Sequence, residues 1–133
     1  MLTTVLVLAA SILSQQPAGA PTPEMAVLKA GLGDCSADFT VKDVEGAPVY
    51  GATISVNVRY GFMSLRRADL EVGTNASGRA RIEGLPAKAK PLTYDIRKDG
   101  KGAIVQQDVT TLCRGVYEVS LKDDVRDLEG RSR

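Results

Sequence analysis

The sequence of 133 residues has room for one ordinary domain around one core. Its composition, 44% hydrophobic and 25% charged, matches a soluble globular chain and excludes a disordered or fibrous one. The net charge of +1 gives no overall field to gather nucleic acid or an anionic membrane, and the absence of His excludes Ser-His-Asp and Cys-His catalysis and the commonest metal ligand.

The chain opens with a mostly apolar run over residues 2–13, too short for a membrane span, which needs about 20 residues. Small residues follow at Ala18-Gly19-Ala20, so residues 1–20 are expected to be a signal peptide cut after Ala20, although no Lys or Arg precedes the apolar run. Residues 21–34, with Pro21, Pro23, Gly31 and Gly33, read as a linker. Cys35 and Cys113 are the only intramolecular pair, and export to an oxidising compartment, secreted or periplasmic, favours their disulfide.

From Cys35 onward the apolar period is two, the mark of half-buried strands. Phe39 and Val41 share one face of a short first strand. Ile54, Val56, Val58 and Tyr60 alternate with Ser55, Asn57 and Arg59 in the clearest one. Leu70 and Val72 form a third, the turn Asn75-Ala76-Ser77-Gly78 follows, and Ala80 and Ile82 mark a fourth. Leu92, Tyr94 and Ile96 give the fifth, residues 103–109 a more polar edge strand, and Tyr117, Val119 and Leu121 the last. The expectation is an all-β, seven-stranded Greek-key sandwich over residues 35–122, with a charged flexible tail over 123–133.

Residues 41–56, with Asp43, Gly46, Pro48, Val49, Gly51 and Ala52, resemble the carboxypeptidase regulatory-like domain family. The hairpin over 74–86, closing on Gly84-Leu85-Pro86, and the strand over 116–121 are similar to that family as well. The resemblance implies a transthyretin-like (immunoglobulin-like) sandwich serving as an accessory, spacer or binding module, and it transfers no catalytic positions. A related branch, the hydroxyisourate hydrolases, uses histidines, an arginine and a C-terminal Tyr-Arg-Gly-Ser, whereas this chain has no His and its last residues read Glu129-Gly130-Arg131-Ser132-Arg133.

The sequence therefore predicts an exported non-catalytic module that is not an enzyme, with no catalytic residue, cofactor or metal. Its partner would be a protein or glycan, not nucleic acid, and the mature chain would have no transmembrane segment and be a monomer or weakly self-associating. The alternatives are an assembly component pairing through a sheet edge and, remotely, a small transthyretin-related hydrolase. Asn75 fits a glycosylation sequon but explains itself as a turn residue. The longest break in alternation is residues 60–67, where Tyr60, Phe62, Met63, Arg66 and Arg67 are interface-type residues. Two readings stand there: a partner-binding loop, or a cap in which Phe62 and Leu65 close the core.

Overall fold

The computed structural model describes residues 25–123, so the expected signal peptide over 1–20 and the tail beyond Asp123 lie outside the described residues. In chain order the strands are β1 (Ala26–Lys29), β2 (Cys35–Lys42), β3 (Thr53–Tyr60), β4 (Arg66–Gly73), β5 (Arg79–Leu85), β6 (Leu92–Lys98), β7 (Lys101–Gln107), β8 (Arg114–Ser120) and β9 (Lys122–Asp123). They form a four-stranded sheet, β1-β5-β2-β8, and a five-stranded sheet, β4-β3-β6-β7-β9. The all-β sandwich is thus present.

Alternation decides which side of each strand is dry. Cys35, Ala37, Phe39 and Val41 on β2 face Ile54, Val56 and Val58 on β3 and Tyr94 and Ile96 on β6, all buried. Burying side chains of this size contributes about 1.5–3 kcal/mol each. The two sheets meet at Phe39 and Tyr94, whose rings pack edge to face with centroids 4.8 Å apart. The β3–β4 ladder runs in register from Thr53 opposite Gly73 to Tyr60 opposite Arg66.

Nine strands stand among the described residues where alternation predicts seven. The short β9 pairs with the start of β7. The other, β1, corrects the linker reading of 21–34 over residues 26–29, because Ala26–Lys29 pairs in parallel with β5, while residues 21–24 lie outside the described residues. Four residues are too few for a period to show, and Pro and Gly flank them. The chain then stays on β5 through hydrogen bonds from the Ala30 amide to the Glu83 carbonyl and from the Leu32 amide to the Gly84 carbonyl. Gly84 permits this approach: its φ is 72°, and a Cβ there would sit 2.6 Å from the Gly31 nitrogen.

Cys35 and Cys113 form a disulfide with Cα atoms 4.7 Å apart and a sequence separation of 78. The bridge joins the starts of two parallel neighbours, β2 and β8, within one sheet, where the Ser36 amide also donates to the Cys113 carbonyl. Asn75 is buried at its turn, and its Oδ1 accepts from the amides of Ser77 and Arg79.

Candidate functional site

The β3–β4 tip carries the residues singled out in sequence. After the half-buried Tyr60, Gly61 leads into a 3-10 turn, Phe62–Ser64, and Arg66 and Arg67 open β4. Phe62 is 83% exposed, and Met63 and Leu65 are each 77% exposed. None of them caps the core, so that reading gives way. A bridge between Tyr60 and Ala89 crosses this end of the sheet instead. Met63 and Ser64 both take positive φ, 54° and 57°, which costs a side-chain-bearing residue about 1–2 kcal/mol.

A second feature lies on the outer face of the four-stranded sheet. The ladder register sets Asp38 directly opposite Arg81 and Ser36 beside Arg114. Arg81 grips Asp38 in a fork, Nε donating to Oδ1 and Nη2 to Oδ2, and its Nη1 lies 3.5 Å from Glu83 Oε1. The Asp38 hydrogen bond and charge hold the Arg81 pKa above its ordinary value.

These side chains border an open groove of about 530 Å³ beside the disulfide. Its lining includes Gly33, Gly84, Gly115 and Ser36, small residues that leave room. Asp34 and Glu83 contribute carboxylates, Arg114 a guanidinium and Val116 an apolar surface that is 80% exposed. Arg114 forms no ion pair among the described residues. The groove can therefore offer a free cation, two acceptors and an apolar wall to one small molecule.

Behind the groove, on the inner face, the Tyr117 ring stacks on Phe39 and folds back over Gly115, where a Cβ would meet the Tyr117 hydroxyl at 2.4 Å. That hydroxyl is occluded and has no hydrogen-bond partner among the described residues. Burial raises the Tyr117 pKa, and burial together with the neighbouring Tyr117 raises that of Tyr94. Tyr94 is satisfied: its hydroxyl donates to Gln107 Oε1 at 2.6 Å.

Sequence reasoning did not find the groove. Asp38, Arg81, Glu83 and Arg114 occupy outward positions that look like any solvated face, and only strand register gathers them. Among the described residues no cluster of three or more His, Cys, Asp or Glu is placed to hold a metal.

No protein-family model matches the chain, and no curated protein matches it. Solved structures do. Catechol 1,2-dioxygenase from Pseudomonas arvilla C-1 superposes with a TM-score of 0.52 at 13% identity, over 82% of this chain and 60% of that enzyme. 3-Chlorocatechol 1,2-dioxygenase from Rhodococcus opacus 1CP gives a TM-score of 0.46 at 19% identity, over 83% and 71% respectively, an overlap too low to argue from. The chain thus spans less than two thirds of the Pseudomonas enzyme. The likeness shows the fold, and it corrects the expectation of a non-catalytic module that is not an enzyme. That expectation rested on a spacer-type sandwich and on missing His-based motifs, whereas a similar fold occurs in a solved enzyme, so the step from these features to an absence of catalysis fails.

Proposed function

We propose that the chain is a small-molecule-handling domain on an enzyme-related sandwich, and that its groove binds a small hydroxylated aromatic acid. The observation that carries this reading is that Arg114, which forms no ion pair among the described residues, lines one groove with Asp34 and Glu83. A ligand carboxylate would pair with Arg114, hydroxyl groups would donate to the two carboxylates, and the ring would lie against Val116. The Arg81–Asp38 fork would keep the floor rigid. Acid–base chemistry here would fall to Asp34 and Glu83, since the chain has no His. The similar Pseudomonas protein is a dioxygenase of catechol, a hydroxylated ring, in keeping with the ligand class.

We further propose that the chain acts outside the reducing cytosol, secreted or periplasmic, after removal of residues 1–20. The Cys35–Cys113 disulfide supports that placement. Among the described residues no helix is long and apolar enough to cross a membrane.

Calorimetric titration tests the site. 3,4-Dihydroxybenzoate should bind about tenfold or more tightly than catechol or benzoate, each of which lacks one set of partners. Arg114→Gln should remove the advantage of the acid while leaving catechol unaffected. Equal affinity for the three compounds, or an unchanged Arg114→Gln profile, would defeat the proposal.

A further inference from the structure

The β3–β4 tip combines exposed apolar bulk with unneutralised positive charge. Phe62, Met63 and Leu65 project into solvent from a turn that holds two side-chain-bearing residues in the left-handed region. Arg59 and Arg67 face each other directly across the β3–β4 ladder, and like charges so placed destabilise a sheet. Arg66 lies over Gly61, and Lys90, whose amide bonds the Arg59 carbonyl at 3.4 Å, lines one shallow groove with Arg59. None of these four cations forms an ion pair among the described residues.

Residues 59–68 and 87–91 contain no Asp or Glu. The acids start farther from the tip on the same sheet, at Asp69, Glu71 and Asp95, which share another shallow groove. A net charge of +1 therefore conceals a basic end with an acidic band behind it.

We propose that this tip docks on an anionic lipid bilayer. Phe62, Met63 and Leu65 enter the headgroup–acyl boundary, and Arg59, Arg66, Arg67 and Lys90 stay at the level of the lipid phosphates. The charge segregation sets the orientation, because an end-on approach keeps Asp69, Glu71 and Asp95 away from the like-charged surface. A nucleic acid would use the cations but would leave Met63 and Leu65 in water, so the apolar triplet favours lipid. Each basic residue strengthens attachment to an anionic leaflet about fivefold, and added salt weakens it.

The chain has no Trp, so Phe62→Trp places a single tryptophan at the tip, and excitation beyond the tyrosine absorption band reports contact there alone. With vesicles of phosphatidylcholine containing phosphatidylglycerol, its emission should shift to the blue and saturate; pure phosphatidylcholine should produce no change. In that background Arg66→Gln with Arg67→Gln should weaken binding about 25-fold. Leu65→Ser should weaken it as well, and all variants should keep the parent melting temperature because the altered side chains are exposed. Absence of a blue shift, equal binding to both vesicle types, or an equal response to a single-stranded oligonucleotide would overturn the proposal.

Discussion

The Tyr94 hydroxyl donates to Gln107 Oε1 at 2.6 Å, with both residues buried. Gln107 then spends its amide on the other sheet, Nε2 donating to the Ser36 carbonyl at 3.1 Å and to the Leu112 carbonyl at 2.9 Å. Ser36 follows one disulfide cysteine and Leu112 precedes the other. One side chain thus links β6, β7, β2 and the approach to β8.

Gln107→Leu should consequently cost about 2–4 kcal/mol in urea unfolding, since it strands the buried Tyr94 hydroxyl and removes the bonds to two partly buried carbonyls. Tyr94→Phe should cost less, about 1–2 kcal/mol, because it removes a donor and leaves only the Gln107 oxygen unpaired. Equal and negligible effects would show that water replaces these bonds.

Ile54→Ala should destabilise by about 2–4 kcal/mol, as Ile54 is fully buried on β3. Asn57→Ala should cost below about 1 kcal/mol, because Asn57 is exposed and its side chain bonds Asp69 across the ladder. Comparable losses at the two positions would contradict the register of β3.

Alkali should unfold the protein through its buried phenols. Tyr94 and Tyr117 are held above the ordinary pKa of 10.0 by burial, so the folded state keeps their protons where the unfolded state releases them. Their contribution is full below the unfolded value and is lost as pH rises through the folded values. Tyrosinate absorbance should therefore develop partly in step with loss of near-ultraviolet dichroism above about pH 10. Complete, reversible titration of all tyrosines in the folded state would refute this.

How much of this was legible depends on which neighbours matter. Strand β3 announces itself because Ile54, Val56 and Val58 alternate with polar residues within one stretch of chain. The groove does not, because Asp38 and Arg81 are 43 residues apart and meet only through β2–β5 pairing. Gln107 was hidden for a related reason: in a polar edge strand its inward turn leaves no trace in the pattern. The tip was legible as a break in alternation, but the exposure of Phe62 and Leu65 ran against the usual inward preference of such residues.

Intact-mass analysis of exported material should show loss of residues 1–20 and a gain of two protons on reduction. Reduction should also lower stability by about 4 kcal/mol, the chain-entropy value for a loop of this separation. Retained Met1 and two thiols alkylated in the native state would argue against export.

The groove is tested most directly by amide chemical shifts of the ¹⁵N-labelled chain during titration with 3,4-dihydroxybenzoate. Saturable shifts should concentrate at Asp34, Ser36, Glu83, Arg114 and Val116, around the cavity beside the disulfide, and Arg114→Gln should raise the ligand concentration at half-saturation about tenfold, to that of catechol. The Phe62–Ser64 turn should stay silent in the same titration. Shifts that never saturate, that gather elsewhere on the sandwich, or whose midpoint Arg114→Gln leaves unchanged would contradict the assignment of this groove as the ligand site.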